Sequence, residues 1–252
     1  MKKIIALGMV FLAVLALVSS RAQTSYPVSI QHDLGTLELK SKPQRIVVLE
    51  LSFADNLLAF GVKPVGMARD RLPSYFTELA NVPVVGLRAS PSLEQILALK
   101  PDLIIADTGR HKAIFEQLQR IAPTMAFNSM SSTYDELLVQ VTKIASIVGA
   151  TEEARTLLEQ QARLFEKAKI LTKKGASIIT GIIGTGTSTP GFTTASSGTL
   201  MGSMFEKLGR NVPTKMQGTS AWYAVSLEGL VALNPSALVF MLFPGNYSGC
   251  IG

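Results

Sequence analysis

The stretch SLEQILALKPDLIIA, residues 92–106, returns 134 positions later as SLEGLVALNPSALVF, residues 226–240. Ser92, Leu93, Glu94, Ala98, Leu99 and Pro101 recur without a gap as Ser226, Leu227, Glu228, Ala232, Leu233 and Pro235. A spacing this long is far beyond a solenoid period, so it marks two related lobes rather than an array. Each copy spells a short helix, a proline stop and an apolar run, which together make one αβ unit. The serine is a good N-cap, and in the first copy Gln95 stands where it completes a capping box. Leu93, Ile96, Leu97 and Leu99 supply an apolar helix face. Pro101 cannot continue the helix, so residues 103–106 read as a buried strand.

Outward from the first copy, strands and helices alternate. Val28 and Ile30, then Leu37 and Leu39, flank Asp33-Leu34-Gly35, which reads as a hairpin. Residues 45–49, 64–67 and 82–86 read as strands, with a helix at 52–60 that ends at Gly61. Beyond the repeat come a helix at 111–121, a strand at 124–127 and an amphipathic helix at 133–148 closed by Gly149. Such alternation predicts a layered, mainly parallel α/β lobe. Residues 151–174 differ. Thr151 is a plausible N-cap, Glu152 and Glu153 occupy the first turn, and Lys169, Lys173 and Lys174 fall near the end, charges that suit the helix dipole. One helix of ~24 residues spans about 36 Å, enough to join two lobes stiffly. The α/β pattern then restarts with a strand at 178–184, a Gly/Ser/Thr-rich loop, a helix at 199–208 and the second repeat copy.

The fold class read from this pattern is α/β, with two lobes of mainly parallel sheet joined by one long helix. The expected divisions are a signal peptide at 1–22, an N-terminal lobe at 23–150, a linker helix at 151–174 and a C-terminal lobe at 175–252. The second lobe reads as incomplete. Only residues 242–252 follow its repeat strand, where the first lobe continues with a helix, a strand and a further helix. The chain is truncated, has lost its frame, or has a smaller second lobe by design, and symmetry favours truncation.

The chain's 252 residues are 47% hydrophobic and 17% charged, a globular composition. Lys2 and Lys3, the apolar run 4–18 and Ser20-Arg21-Ala22 read as a secretory signal whose core is short for a membrane span, with an N-terminal membrane anchor as the alternative. No Cys follows that core to carry a lipid, and the single Cys250 cannot form an internal disulfide. Removing Lys2, Lys3 and Arg21 leaves 21 basic and 18 acidic groups, a net +3 in place of the full chain's +6. Without Lys/Arg runs or interleaved aromatics, nucleic acid is not an expected partner. Gly184-Thr185-Gly186 lacks the third glycine of a dinucleotide loop and meets Pro190 where a helix should begin. GxSxG, Walker A and HExxH motifs are absent. His32, placed in the hairpin turn, and His111, placed at a helix start, are a thin supply for a transition-metal site.

A secretory signal, two α/β lobes, a long connecting helix and paired SLE-x-[IL]-x-AL-x-P motifs coincide. The chain resembles the periplasmic binding proteins of ABC importers for iron–siderophore, ferric-citrate and cobalamin ligands. The resemblance runs from KPQRIVVLELSFADNLLAFGVKPVG through PSLEQILALKPDLIIADTGRHKAIFEQLQRIAPT to FEKLGRN and AWYAVSLEGLVALNPSALVF. The stretches VVGLRASPSLEQI and IIADTGRHKAIFEQL are most similar to the ferric-citrate and carboxylate/hydroxamate branch. It implies a soluble periplasmic monomer that carries a ferric siderophore or ferric citrate in the cleft between its lobes. The chelator would supply the ligands of iron, with no cofactor of the protein's own, and an ABC permease dimer would receive the cargo.

Within that frame Arg69, Arg71, Arg88 and Arg110 stand out, each in a loop just after an expected strand. Ligands of open α/β sheets bind at the carboxyl ends of strands. Guanidiniums grip carboxylates in pairs of bonds and keep their charge at neutral pH. Arg88 and Arg110 are therefore the foremost ligand-binding candidates, followed by Arg69 and then Arg71. Trp222 and Tyr223, just before the second helix copy, offer an aromatic wall for the chelate, although a lone Trp is often core. Thr193, Thr194 and Ser196 offer hydroxyl donors or plain turn chemistry. Glu94 and Glu228 hold the same position in both copies, and the resemblance implies that they dock the two lobes on the permease. The dipole of a helix favours an acid there in any case. Two-lobed α/β scaffolds also resemble enzymes of the nitrogenase or chelatase type, but the scarcity of His and Cys favours the binder. A nonfunctional fragment is the third reading.

Overall fold

A computed structural model of the chain describes residues 26–171, 176–183, 192–213 and 222–241. Strands β1 (Val28–His32) and β2 (Gly35–Leu39) form the hairpin read from Asp33-Leu34-Gly35, antiparallel with Val28 opposite Leu39. Next come β3 (Ile46–Val48), α1 (Leu51–Ala59), β4 (Gly66–Met67), the two-residue strands β5 (Gly86–Leu87) and β6 (Ser90–Pro91), α2 (Leu93–Ala98) and β7 (Leu103–Asp107). After β7 the chain makes α3 (Thr108–His111), a 3₁₀ turn, α4 (Phe115–Gln119), β8 (Thr124–Phe127), α5 (Tyr134–Ile147) and α6 (Thr151–Leu171).

The main sheet of this lobe runs β4-β3-β7-β8, with every pairing parallel. Side chains alternate across a strand, and the burial obeys that period. Ile46, Val48, Leu103 and Ile105 face one apolar layer with Phe53, Leu57 and Ile144. Val47, Ile104 and Ala106 face the other with Ile96 and Leu118. Both faces are covered, which is why β7 reads as an unbroken apolar run.

Three expectations change on folding. The strand expected at 82–86 shrinks to a single bridge between Met67 and Val84 followed by the β5–β6 hairpin; Pro83 has no N–H to give a ladder. The helix expected at 111–121 is broken into α3, a 3₁₀ turn and α4, so His111 closes a helical turn instead of opening a helix. At α2 the Ser92 hydroxyl accepts from the Gln95 N–H, one half of the expected box, whereas the complete reciprocal box belongs to Thr133 and Glu136 at α5.

Most of helix α6 is exposed, with Ala154 its buried residue. Arg155 pairs with Glu152 and Glu159 along its surface, and the helix is anchored on α5 by Phe165 stacked on Tyr134 at 5.0 Å. Residues 172–174 of the expected linker lie outside the described residues.

The second lobe contains β9 (Ile178–Ile183), β10 (Phe192–Ala195), α7 (Leu200–Lys207), β11 (Trp222–Val225), α8 (Leu227–Leu233) and β12 (Ala237–Met241). Its sheet order is β11-β10-β9-β12, and only β9–β12 is parallel. The parallel pattern expected here fails at β10 because eight residues separate it from β9, fewer than a crossover needs. The repeat is reproduced at backbone level. Ser226 caps α8 through the Gly229 N–H as Ser92 caps α2. Lys100 (φ 47°) and Asn234 (φ 41°), 134 positions apart, both turn left-handed just before the proline. The signal expected at 1–22, residues 242–252 and Cys250 lie outside the described residues.

Candidate functional site

Parallel strands that share one direction deliver their following loops to one edge of the sheet. That edge lies at the carboxyl ends of β3, β4, β7 and β8. The chain steps from β3 outward to β4 on one side, and from β7 to β8 on the other. The connections therefore part between β3 and β7, and a crevice is expected there. Glu50 follows β3 and Arg110 follows β7.

Glu50 is the N-cap residue of α1, yet its side chain makes no capping bond. It is 3% exposed and turns to the two arginines singled out by the sequence. Its Oε2 accepts from Arg88 Nη1 at 3.3 Å, and its Oε1 lies 2.9 Å from Arg110 Nη1. The second pair is in contact but not aligned for a hydrogen bond, so both atoms are buried without one. Arg88 is gripped on its other edge by Asp70, whose Oδ2 accepts from Nε and lies 2.7 Å from Nη2, while Oδ1 accepts from the Arg88 backbone. Gly86 makes this turn possible, because its φ of 100° and the 2.9 Å a Cβ would find to Ser90 O exclude a side chain.

Behind the arginines stands a second layer. Asp107, fully buried at the end of β7, accepts from the Arg110 N–H and from both N–H and O–H of Ser129. The Asp107 N–H donates to His111 Nδ1 at 2.9 Å. That leaves the proton on His111 Nε2, which donates to the Arg88 carbonyl at 2.7 Å. His111 thus ties the end of β7 to the Arg88 loop. Burial pushes its pKa down, and burial does the same to His32, whose Nδ1 accepts from the Leu34 N–H. Burial pushes the Glu50 carboxyl up, with Arg110 and Arg88 opposing it. At Asp70 burial works upward too, but the Arg88 hydrogen bonds prevail and hold it below the ordinary aspartate range.

The second lobe reaches this layer through Trp222, whose Nε1 donates to Met130 O at 3.1 Å, one residue past Ser129. Ser203 Oγ accepts from the Tyr134 N–H, and Lys207 pairs with Asp135 at 2.9 Å. Trp222 therefore touches the first lobe at Met130, next to Ser129. The Tyr223 side chain lies outside the described residues.

The structure brings Arg88 and Arg110 together, but not as a bare positive patch. Two guanidiniums share Glu50, Asp70 and Asp107. Arg69 stands apart and donates to the carbonyls of Leu79 and Ala80. Arg71 is exposed. Ser196 and Thr194 are fully buried, and Ser196 Oγ accepts from the Gly198 N–H, which is turn chemistry; Thr193 is half-buried. Sequence reasoning missed Glu50, Asp70, Asp107 and Ser129. The first three follow or end strands much as Arg110 does, but an anionic ligand points to cations and not to the carboxylates that flank them. Among the described residues no group of three His, Cys, Asp or Glu side chains is placed to hold a metal ion.

Away from this edge, Glu94 and Glu228 lie in the first turns of α2 and α8. An open groove between α2 and the α3–α4 segment is lined by Leu93, Glu94, Leu97, Lys112, Glu116 and Arg120. Glu228 is fully exposed. Its own backbone N–H and the Ser226 hydroxyl bond its carboxylate and hold its pKa down.

Residues 46–243 match the family described as periplasmic binding protein. The Fe(3+) dicitrate-binding periplasmic protein FecB of Escherichia coli K12 is 40% identical over 220 residues, 85% of this chain and 72% of FecB. The Fe(3+)-citrate-binding protein YfmC of Bacillus subtilis 168 is 33% identical over 226 residues, 87% of this chain and 70% of YfmC. The iron-uptake ABC transporter substrate-binding protein PiuA of Streptococcus pneumoniae has a similar structure, with a TM-score of 0.72 at 25% identity over 86% of this chain and 78% of PiuA. With two α/β lobes joined by contacts such as Trp222 to Met130 and a match spanning most of its length, this chain belongs to the periplasmic binding protein family.

Proposed function

We propose that this protein binds an anionic ferric chelate, ferric citrate or a carboxylate siderophore, in the cleft between its lobes and delivers it to an ABC permease. The observation that carries this reading is the Arg88–Glu50–Arg110 cluster at the β3/β7 switch point. FecB and YfmC, both named for ferric citrate, support the choice of ligand. Members of this family bind and hand over cargo, so the enzyme of nitrogenase or chelatase type has no support from the comparisons. Iron enters as part of the cargo. The protein acts as a monomer in the periplasm after loss of residues 1–22. Among the described residues no helix is long and apolar enough to cross a membrane.

The two guanidiniums have different parts. Arg88 is engaged on both edges by Asp70 and Glu50, whereas Arg110 meets carboxylates through Nη1 and keeps the rest of its fork for a ligand. Glu94 and Glu228 dock the lobes on a permease dimer. Both copies also expose an apolar side chain one helical turn past the acid, Leu97 and Val231, a pairing suited to an anchor beside a charged rim.

The test is native mass spectrometry of protein purified from iron-limited cells, followed by Trp222 fluorescence titration with ferric citrate. A retained ferric chelate is expected. Arg110→Ala should weaken binding roughly tenfold or more, since truncating a charge-assisted contact costs about 1.5–3 kcal/mol. No retained chelate and no saturable fluorescence change in wild type would reject the reading.

A further inference from the structure

Glu50 is a costly residue to place where it is. A carboxylate buried to 3% exposure loses most of its hydration, and its two oxygens go to Arg110 and Arg88 rather than to the open N-terminus of α1. The contact with Arg110 is close, yet Glu50 Oε1 and Arg110 Nη1 both lack an aligned hydrogen bond. The pair is held by charge more than by geometry. The groups facing Glu50 are Arg88 from the β5–β6 turn, Arg110 from α3 and Asp107 at the end of β7. Asp70 lies beyond Arg88, and His111 lies behind both.

We infer that Glu50 is a specificity-determining residue, an internal carboxylate that occupies the inner edges of Arg88 and Arg110 and competes with an anionic ligand for them. The inference rests on the proposed binding of an anionic chelate at this site. With Glu50, Asp70 and Asp107 ionised, three negative groups face two guanidiniums. A chelate that brings further negative charge then meets a cluster already more than neutralised. Protonating Glu50 leaves two carboxylates for two guanidiniums, and Arg110 turns to the ligand. Binding therefore takes up a proton from solvent onto the Glu50 carboxylate, in proportion to the charge the ligand carries. The direction of the Glu50 pKa, raised by burial against the pull of both arginines, agrees with a group poised to accept that proton. A neutral chelate draws no such response, so Glu50 sorts ligands by charge. A residue that only propped the arginines in place would weaken binding equally at every pH when replaced.

The test compares wild type, Glu50→Gln and Asp70→Asn by Trp222 fluorescence titration with ferric citrate in excess citrate, from about pH 5 to about pH 8. A parallel series uses a neutral ferric trihydroxamate, and circular dichroism confirms that each variant is folded. Taking the ratio of wild-type to variant Kd cancels the pH dependence of the chelate itself. For Glu50→Gln that ratio should rise with pH across the range, in favour of the variant, to roughly tenfold at its alkaline end. Asp70→Asn, which removes one negative group from the same cluster at every pH, should bind ferric citrate more tightly than wild type across the whole range. The neutral chelate should show no pH-dependent ratio for any variant. A flat ratio for Glu50→Gln, or weaker binding by that variant at pH 8, overturns the inference while leaving the binding function intact. If no protein takes up ferric citrate while all remain folded, the functional reading fails and the inference that rests on it fails with it.

Discussion

The two copies of the repeat share a local code but not a fate. In the first, Ile104 and Ile105 of β7 are fully buried; their counterparts in β12, Leu238 and Val239, are 48% and 36% exposed. The caps, the left-handed residue and the proline are the same in both. The neighbours differ. β7 lies between β3 and β8, with helices over both faces, whereas β12 pairs with β9 at the margin of the described sheet. Among the described residues the same αβ unit is thus enclosed in one lobe and marginal in the other. Local sequence sets the shape of the unit, and the company it keeps sets how much that shape contributes to stability.

Replacing one matched pair of residues should show this most strongly. Ile105→Ala removes fully buried side-chain volume from the centre of the first sheet and should cost about 2–5 kcal/mol. Val239→Ala, at the same place in the second copy, should cost about 1 kcal/mol or less. Urea denaturation of both variants measures the difference, and equal losses would erase the contrast between the lobes.

The caps should behave in the opposite way. Ser92→Ala and Ser226→Ala each delete one hydroxyl that accepts from a helix N–H, at 3.2 and 3.1 Å. Each should cost about 1 kcal/mol, with the two values alike because the interaction is local. Unequal costs, measured in the same denaturation experiment, would show that the surroundings reach even into the cap.

The smallest effect on stability is expected for the double variant Glu94→Gln, Glu228→Gln. Both acids sit at the first turn of exposed helices, where dipole interactions are weak. Ligand affinity should be unchanged and import into cells greatly reduced, with transport assays at several salt concentrations as the readout. Normal import would reduce the matched acids to helix-terminus chemistry.

Much of the fold was legible because it is written at short range. Apolar period, capping serines and prolines place α2, β7, α5 and α8 within a residue or two and the start of α6 at Thr151, while its expected end lies outside the described residues. The failures are instructive in the same terms. Residues 82–86 look like a strand by composition, but Pro83 and the close turn at Gly86 let only Met67 and Val84 pair. The antiparallel run of β9, β10 and β11 was hidden because strand direction follows from connection length and partner choice, not from the apolar pattern of each strand.

At the candidate site the division falls between position and pairing. By itself the sequence determined that Arg110 follows a strand and arrives at the edge of the sheet, whereas the strand expected before Arg88 is one bridge and a hairpin turn. It also determined that Glu94 and Glu228 occupy equivalent turns, and that one Trp precedes the second helix copy. Only the tertiary structure decided that Glu50 lies between the two arginines, that Asp70 and Asp107 balance them, that Arg69 turns away to Leu79 and Ala80, and that Trp222 crosses to Met130. The physical reason is range. Helix caps and strand ends depend on residues a few places apart, whereas the charge state of a site depends on groups that are distant along the chain and meet only when parallel strands bring their ends together.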